Sequence, residues 1–289
     1  MAHRPRKVPQ SGDDDIASEL ERYGMHYLVS PESAPPLPQE LALELGHYTL
    51  QPLQRDTEFV LFRGYRRDPA QGRGPTILVR APVADPPSPA CLRRMQEEYA
   101  LGSELDPAYV VRPLSLVQAQ GRALLILEDS GGEPLDRLLG SPMAIGSFLR
   151  LAPSIASVVG TLHRGGLVHK DIKPANILVN GATGAVKLMG LGIASRLTRE
   201  RQAPEPPETI AGTLAYMAPE QTGRMNRSVD SRSDLYALGV TFYELLTGSL
   251  PFTAADPIEL IHCHIAREPV PPSELASAVP ALLDRKSVV

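Results

Sequence analysis

Tryptophan is missing from this sequence, cysteine occurs only twice, and aromatic residues make up 5% of its 289 positions. The missing tryptophan excludes nothing by itself. The scarce cysteine does: Cys91 and Cys263 are far apart and stand in no metal-ligand spacing, so neither a disulfide framework nor a cysteine metal site is expected. A reducing cytoplasm is the simplest compartment for such a chain. No run of about 18 apolar residues occurs, so no membrane span is expected. The basic stretch Met1–Gln10 has no apolar stretch behind it and does not read as a secretory signal. Positive charge is not in excess either. A net charge of −4 and a pI near 6.0 speak against a nucleic-acid partner. What remains is 43% apolar and 21% charged, an ordinary globular composition with length for one large domain or two small lobes.

The first 45 residues are expected to be a disordered extension, with an acidic patch (Asp13, Asp14, Asp15), a proline cluster from Pro31 to Pro38 and at most a short helix over Ile16–Tyr23. From Tyr48 the pattern changes to short β-like runs: Tyr48–Leu53, Phe59–Tyr65, Thr76–Arg80, Val110–Leu116 and Ala123–Leu127, with a helix over Ala90–Leu105 inserted after the third. The second half is helical. Phe148, Ala152, Ile155, Val159 and Leu162 step by 4, 3, 4 and 3, one face of a helix. Asp234–Thr247 is a second helix, ended by Gly248, and Pro257–Arg267 a third. Between them Gly190–Glu220 is loop-rich, and there is no internal repeat. The pattern predicts an α+β fold with a β-rich lobe, a helical lobe and a cleft between them.

The sharpest local signal is His169-Lys170-Asp171-Ile172-Lys173-Pro174-Ala175-Asn176, placed between a helix and a short apolar strand. It resembles the catalytic loop of protein kinases, usually H-R-D-x-K-x-x-N. The spacing suits phosphoryl transfer: Asp171 would orient the attacking hydroxyl and take its proton, Lys173 would offset charge on the moving phosphoryl group, and Asn176 would ligate a metal. Lysine at that second position is the Ser/Thr-kinase form. Other landmarks follow in order. Ala218-Pro219-Glu220 resembles the end of the activation segment, preceded by Gly212-Thr213. Asp234 resembles the aspartate that anchors the catalytic loop. Glu128-Asp129-Ser130 resembles the hinge, with Leu127 as gatekeeper, and Glu98 lies where the family's ion-pairing glutamate lies.

That resemblance implies a bilobal kinase-like domain over 46–283, with an N-lobe over 46–129 and an incomplete C-lobe over 130–283. It also implies ATP and Mg as cofactors, a protein Ser/Thr substrate, and nucleotide contacts from Arg80, Glu98, Glu128 and Ser130. Gly212–Arg227 and Ile258–Ala266 further resemble the N-terminal kinase domains of large bacterial signalling proteins, in which an AAA-type ATPase and sensor modules follow. Residues 284–289 do not resemble the family. Back-translated, they spell a sequencing-adapter read, so a non-native tail and a longer natural product are expected. Glu220 would then lack its arginine partner, and the base of the C-lobe would be exposed.

The departures fall on the nucleotide. Aligned through Leu61, the three positions of the glycine-rich loop hold Gln54, Asp56 and Phe59, so a plain hairpin is expected in place of a phosphate cradle. Arg80 stands where a lysine normally pairs the phosphates, and an Arg80–Glu98 pair is expected. Gly190-Leu191-Gly192 stands in place of D-F-G and removes the main metal carboxylate. Lys170 replaces the loop arginine and matters least. Two outcomes stay open: a weak or inactive kinase with a regulatory or interaction role, or an active Ser/Thr kinase with unusual metal handling. A kinase-fold enzyme with a different transfer chemistry is a third.

Overall fold

The computed structural model describes residues 47–66, 76–119, 122–196, 214–224 and 227–284. The expected helix over Ile16–Tyr23, the N-terminal extension, Gly212-Thr213 and the tail beyond Asp284 lie outside the described residues.

Five antiparallel strands form the N-lobe in the order β1-β2-β3-β5-β4: β1 Tyr48–Arg55, β2 Phe59–Arg66, β3 Thr76–Pro82, β4 Pro113–Ala119 and β5 Arg122–Glu128. Successive strand side chains point to opposite faces. Val60, Phe62, Val79 and Ile126 therefore pack on one side of the sheet, and Phe59, Leu61, Leu78 and Leu127 on the other. The second face receives helix α1, Pro89–Glu104, through Cys91 and Met95. Ser88 starts that helix by accepting a hydrogen bond from the Cys91 N–H at 3.1 Å, and Pro89 takes the first turn, where its missing N–H costs nothing. Gly102 lets α1 approach β4, because a Cβ there would lie 2.9 Å from Pro113 Cδ. The fourth strand starts at Pro113, three residues later than its apolar pattern suggests. Val110 instead forms a parallel bridge with Leu188, and the Val111 N–H donates to the Leu188 carbonyl at 2.8 Å, tying the lobes together.

The C-lobe is built on α2, Ile145–Arg164, and α3, Ser231–Thr247. Phe148, Ile155, Val159 and Leu162 of α2 are buried as their spacing requires, and Phe148 meets Phe242 of α3 edge-on at 5.4 Å. Among the described residues α2 is the one helix long and apolar enough to cross a membrane, and here its apolar face lines the C-lobe core. Asp230 caps α3 and Gly248 ends it in a left-handed conformation. Strands β6 (Glu133–Pro134), β8 (Ile177–Val179) and β9 (Val186–Leu188) form a small sheet, and β7 (Leu167–Val168) pairs with β10 (Ser195–Arg196). Ile258, Val270, Leu275 and Leu282 are exposed on the C-lobe.

Helix α4, Pro257–Ala266, carries His264 into a buried niche where Nδ1 meets the Tyr236 hydroxyl at 2.7 Å and the Phe252 ring packs edge-on. Burial pushes this imidazole down to about 4. The unfolded chain therefore takes up a proton between about pH 6.5 and 4 that the folded chain does not. Stability from this niche is full above pH 6.5 and is lost as pH falls through that window. Urea midpoints measured from pH 7 to 4 should fall less steeply for His264→Gln than for the parent. Parallel curves would mean that other groups carry the acid sensitivity.

Candidate functional site

The loop with the kinase-like signature is held from below. Asp234 is fully buried in the first turn of α3, and its carboxylate accepts from the His169 N–H at 2.8 Å and the Lys170 N–H at 2.7 Å, with His163 Nε2 also at 2.8 Å. These bonds hold Lys170 at a φ of 68°, a conformation unusual for a residue with a Cβ. The His169 ring completes the turn. Its Nδ1 accepts from the Asp171 N–H, and its Nε2 lies 3.0 Å from the Met189 carbonyl. The result brings Asp171, Lys173 and Asn176 together. Lys173 Nζ lies 3.2 Å from Asp171 Oδ2, and Asn176 Nδ2 donates to both Asp171 Oδ2 and the Asp171 carbonyl at 2.8 Å.

Above the loop, the Arg80–Glu98 pair expected from the register is present at 2.6 Å, and both side chains are 6% exposed. Arg80 also stacks 4.1 Å over the Phe59 ring. The other Glu98 oxygen accepts from the Gly190 N–H at 2.7 Å, so Glu98 links β3 to the segment that replaces D-F-G.

Gly190 sits at a φ of 82°, and a Cβ there would lie 2.6 Å from three side-chain atoms of Asn176. Asn176 fills the space that a side chain at 190 would need. The donors beside Gly190 are the Asp171 carboxylate, whose Oδ2 is engaged by Lys173 and Asn176 while its buried Oδ1 has no hydrogen-bond partner, and the Asn176 amide. A hard divalent cation wants several oxygen ligands, usually including charged ones. With glycine at 190, this set is one carboxylate short of the usual kinase magnesium centre. Among the described residues no group of three His, Cys, Asp or Glu side chains is placed to hold a metal.

The β1–β2 connection is a hairpin turn made by Asp56. Its Oδ1 accepts from the Glu58 N–H at 2.8 Å and the Phe59 N–H at 2.7 Å, while Oδ2 reaches Lys173 Nζ at 3.3 Å. Burial works against the charged carboxylate, but Lys173, Arg80 and those two N–H groups outweigh it and hold its pKa below the ordinary range. Lys173 is likewise penalised by burial, yet Asp171 and Asp56 keep it firmly protonated.

At the hinge, the Glu128 N–H donates to the Arg112 carbonyl and the Ser130 carbonyl accepts from Asn180. Asp129 between them is bound by Arg63 at 2.7 Å. Arg63 also bonds Glu133 and donates to the Gly132 carbonyl at 2.6 Å. No sequence motif marks Arg63. The signal for it is an arginine directly after the apolar run Phe59–Phe62, in phase with Leu61, where burial demands a partner. Leu78 and Leu178 are likewise unmarked by any motif. They join Leu61 and Met189 in one buried apolar cluster that runs from the N-lobe sheet to β8 of the C-lobe.

Among the described residues no arginine forms an ion pair with Glu220, but a hydroxyl takes part of that role. The Glu220 carboxylate is not partnerless, because the Ser233 hydroxyl donates to it at 2.6 Å. Its neighbour Gln221 donates to the Lys170 carbonyl at 2.8 Å, linking this segment to the catalytic-type loop.

Comparison with known proteins agrees with this architecture. The protein kinase domain family model matches residues 84–280, more than half of the chain. The match begins beyond β3, so Asp56 and Arg80 lie outside it. Serine/threonine-protein kinase Pkn1 of Myxococcus xanthus is 40% identical over 166 residues, 56% of this chain and 24% of that protein. Serine/threonine-protein kinase PknB of Mycobacterium tuberculosis is 36% identical over 143 residues, covering 50% and 22%. Probable serine/threonine-protein kinase CE0033 of Corynebacterium efficiens is 43% identical over 115 residues, covering 40% and 17%. The chain thus matches less than a quarter of each relative's length. The matched region, the bilobal fold and the loop anchored by Asp234 together place this chain in the protein kinase domain family.

Proposed function

We propose that this domain is a Ser/Thr-kinase-type signalling module with a degraded ATP and magnesium site, and that it acts through regulation or interaction more than through phosphotransfer. The observation that carries the reading is Gly190, whose missing carboxylate cannot be supplied without displacing Asn176. Losing even about 4 kcal/mol of transition-state stabilisation slows transfer about a thousandfold. Arg80 in place of lysine and Asp56 in the phosphate loop support the same conclusion. The relatives are longer than the matched region, which fits a domain working within a larger polypeptide. The AAA-type ATPase and sensor modules implied by the resemblance are the form we propose for it.

Calorimetry with ATP tests the reading. Binding should be weak and unchanged within a few-fold by magnesium, and label transfer to a generic protein acceptor should be near background. The intact cluster of Asp171, Lys173 and Asn176 favours a second reading, an active Ser/Thr kinase with unusual metal handling. Tight binding that strictly requires magnesium, together with label transfer, would establish that alternative and overturn the first.

A further inference from the structure

Among the described residues, Arg80 and Lys173 are the two cations placed where phosphates would be handled, and each is already paired with a carboxylate. Around them stand three carboxylates, Glu98, Asp171 and Asp56. Glu98 and Asp171 belong to the kinase-like framework. Asp56 is the addition. It reaches Lys173 from the opposite lobe, from the hairpin that would normally drape its backbone over a phosphate.

The Asp56 side chain divides its work between its two oxygens. Oδ1 is fixed by the Glu58 and Phe59 N–H groups, which aims Oδ2 at Lys173. Both ends of the contact are shielded, with Lys173 8% and Asp56 22% exposed. A carboxylate and a phosphate are both oxyanions, and a lysine ammonium binds either by charge-assisted hydrogen bonds. A group held in the same chain competes at a high effective concentration.

We infer that Asp56 is a tethered occupant of the domain's own phosphate position, so that a polyphosphate can bind only by displacing it from Lys173. The inference deepens the reading of a degraded nucleotide site and rests on it. With Asp56 present, an incoming polyanion meets two cations and three carboxylates. Without that charge, the balance is two to two.

Titration of the full chain with inorganic tripolyphosphate, in low salt without magnesium, tests this. The probe carries no base, so it reads the Lys173 and Arg80 position alone. Asp56→Asn keeps Oδ1 as the acceptor for the turn and replaces the charged oxygen with an amide that cannot accept from Lys173. Asp56→Ser offers a second way to keep the turn without charge. Either variant should bind at least about tenfold more tightly than the parent, and adding Lys173→Met should abolish the gain. In the parent, saturating tripolyphosphate should speed hydrogen exchange at the Glu58 and Phe59 amides. Equal affinity in parent and folded variants, or tripolyphosphate binding that leaves those two amides protected, would overturn the inference. Magnesium-dependent label transfer by the parent would overturn the proposed function instead, and the magnesium-free arm is independent of it.

Discussion

Replacing Glu98 with alanine is expected to destabilise the domain by about 3–5 kcal/mol, the range for removing one partner of a buried ion pair. The loss is large because Glu98 does two things. One oxygen pairs with Arg80 at 2.6 Å, and the other accepts from the Gly190 N–H at 2.7 Å. Alanine leaves a buried guanidinium with less compensation and a buried N–H without its acceptor. Urea unfolding followed by circular dichroism reads the change. The double variant Arg80→Met, Glu98→Leu should fall closer to the parent than either single change does, because it removes both charges at once. If Glu98→Ala costs under about 1 kcal/mol, the pair is not the link between β3 and the 190 segment that its geometry indicates.

Gly190→Asp is expected to fail as a repair. The new Cβ would start 2.6 Å from three atoms of the Asn176 side chain, and Asn176 is itself fixed to Asp171 by two hydrogen bonds. Overpacking of this kind costs about 1–3 kcal/mol, and a carboxylate there also adds negative charge near Glu98. Thermal melting should show a clear drop, and label transfer should stay near background because Arg80 and Asp56 are unchanged. Gly190→Ala separates the two causes. It should lose a comparable amount through sterics alone. Robust autophosphorylation by Gly190→Asp would mean that the metal carboxylate was the sole defect.

The sequence was most legible where spacing alone determines placement. The helical steps of Phe148 to Leu162 stand where they were expected because periodicity sets them, and the eight-residue loop from His169 to Asn176 because its residue pattern marks it, although distant Asp234 holds its shape. The Arg80–Glu98 pair could be foreseen because kinase register brings two distant positions together. What stayed hidden depends on partners far apart in the chain. Arg63 bonding the hinge and β6 and Asp56 reaching Lys173 join segments many tens of residues apart, Ser233 reaching Glu220 spans 13, and no period encodes any of them. Asp56 could be recognised as wrong for a phosphate loop. Its carboxylate reaching across to the other lobe could not.

Asp234 has a consequence beyond holding a turn. Its bonds to His169, Lys170 and His163 come from the core of the C-lobe and involve no cofactor. The loop's shape is therefore templated by folding, and the same outline would be found in a chain that turns over and in one that does not. An antibody or partner that recognises this outline would bind both alike. For this domain, the backbone outline of the loop, apart from the side chains it carries, reports ancestry and almost nothing about turnover.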